Sequence, residues 1–219
     1  GRGAQRRLVT SLWARARAAG GGTVTGSVRD GRTPTEAVRL ATIDSAPLYE
    51  AVGDINKLSN HLMGRQLFLT LSTTAYPPPA TIAHSTDVIQ RWLATRKLRM
   101  PELVLVNGSG LSRNERISAQ SMGRLLLAAD GSKVRNEYIS SLAVAATDGT
   151  VGKRFQNDEV ADQAFLKTGT LEGVRAIAGY VFGPTGRRFV VVCFVNHPNA
   201  SRAQHGIDVL VQWVYENAR

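Results

Sequence analysis

Apolar residues along this 219-residue chain change their spacing several times, and each change marks an element. From Leu48 to Leu71, the residues Leu48, Val52, Ile55, Leu58, Leu62 and Leu69 keep broadly helical spacing. This predicts two successive helices, opened by Ser45-Ala46-Pro47 and broken near Ser59. An earlier stripe of Leu8, Leu12 and Trp13 predicts a helix over about residues 6–19, ended by Gly20-Gly21-Gly22. A short extended piece from Thr23 to Arg29 and a turn at Asp30-Gly31-Arg32 follow. Pro77-Pro78-Pro79 reads as a rigid loop between mutually dependent helices. Ser85 is placed to cap a helix with Val88, Ile89, Trp92 and Leu93 on one face. Leu103 to Val106 reads as a short strand, and Ser118 as the cap of a helix carrying Met122, Leu125, Leu126 and Ala129.

The last third changes to a strand pattern. An acidic, helix-like stretch from Asp158 to Ala164 precedes two extended apolar runs, Val174 to Phe182 and Arg187 to Val195. The turn Gly183-Pro184-Thr185-Gly186 joins them, so they read as an antiparallel hairpin. Ser201 then opens a final helix with Ile207, Leu210, Val211 and Val214 inward. Helices first, a hairpin late and a closing helix predict a mixed α/β domain, an antiparallel sheet flanked by helices. The length allows one large domain, or a domain with a small appendage.

Composition narrows the classes. No apolar run approaches the roughly 20 residues of a membrane span, and the first seven residues lack the apolar core of a signal peptide. A formal charge of +10, from 27 basic and 17 acidic residues, favours polyanionic partners. Aromatics are only 6% and do not interleave with the arginine clusters, so no base-stacking surface supports a nucleic-acid partner. Lys153/Arg154 and Arg187/Arg188 read as solvated. Cys193 lies in an apolar strand and reads as a small hydrophobe. His84, His197 and His205 lack metal-ligand spacing, and no metal or cofactor is expected.

Chemistry concentrates in two short stretches. Lys167-Thr168-Gly169-Thr170 opens the hairpin with a fixed positive charge, a hydroxyl and a glycine that leaves room for a ligand. That combination suits a carboxylate lying along a strand. Ser59-Asn60-His61 stands near a helix start, where Ser59 reads either as an N-cap or as a hydroxyl working with Lys167. His61 either donates to a substrate carbonyl, or is a surface histidine with Asn60 shifted into the site.

A Ser-x-Asn triplet paired with a later Lys-Thr-Gly is the signature of penicillin-recognising serine enzymes. Asp54 to Met63, Asn107-Gly108-Ser109-Gly110-Leu111-Ser112-Arg113, Ser141-Leu142-Ala143-Val144 with Asp148-Gly149-Thr150-Val151, and Lys167-Thr168-Gly169-Thr170 follow one family's order. Through them the chain resembles the penicillin-binding protein 4-type, class C low-molecular-mass D-alanyl-D-alanine carboxypeptidases and endopeptidases. His61 departs from that pattern, standing where asparagine is expected. So does the absence of the family's nucleophile motif: no serine here has lysine three residues later.

The resemblance implies a penicillin-binding protein/serine β-lactamase-like transpeptidase fold, with residues 1–219 forming the C-terminal part of the D,D-peptidase domain. It also implies serine-type hydrolysis of peptidoglycan stem peptides through an acyl-enzyme, β-lactams as ligands, and a periplasmic location. Catalytic roles would fall to Ser59, His61 and Lys167, and substrate binding to Asn60, Thr168, Gly169 and Thr170. Ser59 would relay a proton, Lys167 would set the positive potential, and the Thr168 and Thr170 hydroxyls would hold the carboxylate. The Thr170 N–H would form half of an oxyanion hole. The alternative is a non-catalytic relative that binds cell-wall peptides.

Overall fold

The structure, a computed structural model, describes residues 44–217 throughout and, before them, residues 10–11, 13–15, 19–20, 31–32, 34–39 and 42. The chain divides into two compact units, Gly1–Asp44 and Ser45–Arg219. In the first, the described residues from 10 to 15 and residue 19 are helical, and those from 31 onward are irregular or in a turn. Leu8, Leu12 and the extended piece expected over Thr23 to Arg29 lie outside the described residues.

The second unit opens with α1 (Leu48–Lys57), α2 (His61–Ser72) and α3 (Ile82–Thr95). Next come α4 (Ala119–Asp130), α5 (Arg135–Ser140), β1 (Ala143–Val144) and a 3-10 turn, Gly149–Val151. It closes with β2 (Ala164–Leu171), β3 (Val174–Phe182), β4 (Arg188–Asn196), a second 3-10 turn (Ala200–Ala203) and α6 (Gln204–Glu216). The four strands form one antiparallel sheet in the order β1-β2-β3-β4. The mixed α/β architecture is the one the pattern predicts. None of the described helices is long and apolar enough to cross a membrane.

Period-two alternation sorts the sheet into two faces. Leu166, Ile177, Val181 and Val191 join Ile207 and Val211 of α6 in one core. Tyr180, with Phe165, Ala178, Val190 and Val192 beside it, joins Leu126 of α4 and Ile139 of α5 in the other. The buried Tyr180 hydroxyl donates to the Leu126 carbonyl at 2.6 Å, which ties α4 to the sheet. Burial on both faces is what makes β3 and β4 read as continuous apolar runs.

Several local expectations change. Asp158 to Gln163 forms turns, with the strand starting at Ala164. Val160 is buried in the core, and its flanks close through three-residue turns, Ala161 N to the Asp158 carbonyl and Gln163 N to the Val160 carbonyl, both at 3.0 Å. Leu103 to Val106 contributes a single bridge, Val104 to Arg116, because no second strand runs alongside. Thr81, not Ser85, caps α3 by accepting from His84 N at 3.1 Å. Ser85 lies buried inside the helix and donates to the Thr81 carbonyl. Ser201 falls in a 3-10 turn, and α6 starts from Ala203 without a side-chain cap. Arg154 and Arg188 are not simply solvated: Arg154 pairs with Asp208 of α6, and Arg188 lies 3.2 Å from Asp130. Cys193 is half-buried and packs against the α6-side core.

Ser118 caps α4 as expected, accepting from Ser121 N at 3.1 Å. Its own hydroxyl donates to Glu102 Oε1 at 2.5 Å. Hydrogen bonds from Ser118 first, and then Ser121, hold the Glu102 carboxyl at about 2, below its ordinary 4.5. A depressed carboxylate stabilises the fold fully above its unfolded pKa and loses that contribution as pH falls toward the folded value. Replacing Glu102 with Gln is therefore expected to lower the urea midpoint at pH 7. The gap from wild type should close between about pH 4.5 and 2. A gap that stays constant with pH would contradict this account.

Candidate active site

Ser59 occupies an uncommon backbone position. After α1, the Asn60 N–H reaches back to the Ile55 carbonyl at 3.1 Å, and Ser59 between them has φ 51. This is a Schellman ending, whose left-handed residue is usually glycine. A serine there carries strain of about 1 kcal/mol. Asn60 serves both helices, since its Oδ1 also accepts from Met63 N at 3.1 Å and caps α2. The cap is thus Asn60, and the Ser59 hydroxyl is left for other work.

That hydroxyl meets Lys167. Lys167 Nζ donates to Ser59 Oγ at 2.5 Å and to its neighbour's Thr168 carbonyl at 2.9 Å. Burial of the ammonium holds the Lys167 pKa below the ordinary lysine value. The two residues that the sequence singles out are therefore in direct hydrogen-bond contact.

Lys167 lies on an open edge. β1 pairs only with Phe165 and Leu166, and among the described residues no strand pairs with Lys167 to Leu171 on the side of β2 away from β3. Thr168 donates its hydroxyl to Thr150 Oγ1 at 2.8 Å. Thr170, two residues on and so on the same side of the strand, is exposed. A Cβ on Gly169 would lie 3.2 Å from the Ala176 Cβ, so the neighbouring strand itself favours glycine there.

His61 is engaged elsewhere. Its Nδ1 lies 2.6 Å from the Ser109 carbonyl. A carbonyl only accepts, so Nδ1 carries the proton and His61 fastens the Asn107–Arg113 loop to α2. The loop needs Gly108, at φ 69, because a Cβ would fall 2.3 Å from the Phe68 Cβ. At its far end Arg113 donates to the Glu172 carbonyl at 3.1 Å, just beyond β2. The loop thus spans both walls of the site. Beside it opens a cavity of about 1350 Å³, lined by Gly110, Arg113, Leu171, Glu172, Trp92 and Phe194 among others. Ser59 and Lys167 do not line it.

Sequence reasoning missed the residues that hold these walls together. Asn56 donates to Ser141 Oγ at 2.8 Å, and Lys57 pairs with Asp148. Their partners lie 85 and 91 residues away, so no local pattern marks them. Asp148-Gly149-Thr150 stood in a stretch that matches the family's order, but no chemistry was assigned to it. Among the described residues, no group of three or more His, Cys, Asp or Glu side chains is placed to hold a metal ion.

The profile of the D-Ala-D-Ala carboxypeptidase 3 (S13) family matches residues 4–217. The chain belongs to that family. Among its relatives, the D-alanyl-D-alanine carboxypeptidase DacB of Haemophilus influenzae is 26% identical over 165 residues, 74% of this chain and 34% of that protein. The D-alanyl-D-alanine carboxypeptidase of Actinomadura sp. (strain R39) is 30% identical over 187 residues, 82% of this chain and 35% of that protein. The crystal structure of penicillin binding protein 4 from H. influenzae, complexed with a β-lactam, superposes with a TM-score of 0.81 at 22% identity. That match covers 96% of this chain and 51% of the other. The chain therefore spans about a third of the length of these curated relatives, and it shares the penicillin-binding protein 4 fold.

The backbone at Ser59 gives a stability test for a family member's site. Ser59→Ala and Ser59→Gly both lose the Lys167 contact, but only glycine relieves the positive φ. Ser59→Gly is expected to be more stable than Ser59→Ala by about 1 kcal/mol in urea unfolding. Equal stabilities would argue against strain at this residue.

Proposed function

We propose that this chain supplies the proton-relay and carboxylate-binding half of a serine-type D-Ala-D-Ala carboxypeptidase or endopeptidase. The observation that carries the reading is the 2.5 Å contact from Lys167 Nζ to Ser59 Oγ, on an open strand edge. An extended stem peptide can add to such an edge through main-chain hydrogen bonds. Its C-terminal carboxylate would meet the Thr168 and Thr170 hydroxyls within the positive potential of Lys167. The Thr170 N–H would then donate to the developing oxyanion.

In the acyl-transfer step a serine oxygen attacks the D-Ala-D-Ala carbonyl, and D-alanine leaves with a proton relayed through Ser59. Lys167 donates to the Ser59 oxygen, which leaves the Ser59 hydroxyl proton free to travel to the leaving amine. Water then hydrolyses the acyl-enzyme. No serine in the chain stands three residues before a lysine, so the reading assigns the attacking serine to residues outside this sequence. Peptidoglycan stem peptides and β-lactams are the partners it implies, and the periplasm the location. The β-lactam in the H. influenzae structure supports the ligand class.

A second reading, a non-catalytic binder of cell-wall peptides, is favoured by His61. It stands where asparagine is expected, and its Nδ1 is committed to the Ser109 carbonyl.

Intact-mass spectrometry with benzylpenicillin separates the two readings. The 219-residue chain alone is expected to gain no mass. A polypeptide that also carries a Ser-x-x-Lys segment is expected to gain one penicillin, with Ser59→Ala and Lys167→Ala slowing acylation by about 100-fold or more. Acylation that proceeds unchanged in both variants would sink the proposal.

A further inference from the structure

Three contacts converge on the tripeptide Asp148-Gly149-Thr150 from opposite sides of the site. Asp148 pairs with Lys57, two residues before Ser59, while its other oxygen accepts from Val144 N at 2.8 Å. Gly149, at φ 58, lies against the end of α1 so closely that a Cβ would fall 2.7 Å from the Lys57 carbonyl. Thr150 accepts from the Thr168 hydroxyl at 2.8 Å. One short segment therefore grips the turn that carries Ser59 and the strand that carries Lys167.

We propose that Asp148 is a positioning residue, which with Lys57 holds the Ser59 turn against the Lys167 strand. The inference rests on the reading of Ser59 and Lys167 as the working pair. Asp148 touches neither of them in the structure's hydrogen bonds; it acts through Lys57 and through the segment leading to Thr150. The ion pair is half-exposed, with side-chain exposures of 27% for Lys57 and 37% for Asp148. Its direct contribution to global stability is accordingly small. The Asp148 carboxylate is anchored at both oxygens, so the segment has little freedom to slide. Loosening it lets water reach the Lys167 ammonium, which burial alone now perturbs.

The test is NMR titration of the lysine ε-CH2 groups, of which the chain has five, with Lys167→Arg identifying the Lys167 signal. It compares wild type with Asp148→Asn and Lys57→Met and needs no substrate. Positioning predicts that both variants raise the Lys167 midpoint, by about half a pH unit or more, as water enters. The double variant should move it no further than either single one, since the two residues act as a unit. Simple charge effects predict opposite signs: loss of the carboxylate lowers the midpoint and loss of the ammonium raises it. Opposite shifts, or a midpoint unmoved while thermal stability falls, overturn the proposal. If Asp148→Asn fails to fold, Thr150→Val, which removes one exposed hydroxyl, should still raise the midpoint. Lys167 shifting as expected, while a polypeptide that also carries a Ser-x-x-Lys segment gains no penicillin, would uphold the positioning role and remove the functional reading instead.

Discussion

Lys167 and Ser59 lie 108 residues apart in sequence, and the contact between them fixes the geometry of the site. It requires the end of α1 to meet the open part of β2, although neither element touches the other through its own regular hydrogen bonds. The ammonium is half-buried, and burial disfavours its charge. A desolvated lysine is tolerated when oxygens surround it, and here the Ser59 hydroxyl and the Thr168 carbonyl do so. The same desolvation makes its field stronger than that of a lysine in water.

Strain and support are distributed accordingly. Ser59 holds a left-handed conformation that glycine would adopt without cost, while Asn60 closes one helix and opens the next. The two bonds of Asn60 over-determine the turn, which is the condition under which a strained residue persists. Two further devices set the walls. On one side His61 holds Ser109 of the Asn107–Arg113 loop to α2, and Arg113 ties the loop's end to the residue after β2. On the other, Asn56 and Lys57 bind Ser141 and Asp148.

Much of the fold was legible because burial imposes periodicity. β3 and β4 pack helices on both faces, so the hairpin stood out as two apolar runs around a Gly/Pro turn. The break between α1 and α2 was visible at Ser59, and the Ser118 cap was correct. Caps at Ser85 and Ser201 failed because a hydroxyl near a helix start serves equally well inside the first turn or in a 3-10 turn. The strand over Leu103 to Val106 failed for another reason: an apolar run becomes a strand only when a neighbour offers a ladder.

The sequence by itself determined the inventory of the site. The Lys-Thr-Gly, the serine at a helix break and the Gly-Ser-Gly loop were each recognisable because their residue types have local backbone or chemical requirements, although Lys167 to Thr170 lie inside a strand of their own, β2, and do not open the β3-β4 hairpin. Which of Ser59, Asn60 and His61 faces Lys167 was decided only in three dimensions, by a Schellman turn that aims Ser59 at the strand and spends Asn60 Oδ1 on a cap. Asn56, Lys57, Ser141 and Asp148 fell in stretches that match the family's order, but their pairing with one another was invisible along the chain. Hydrogen bonds and ion pairs between residues 85 to 91 positions apart leave no periodic trace, because they depend on how helices and strands pack rather than on the conformation of either segment.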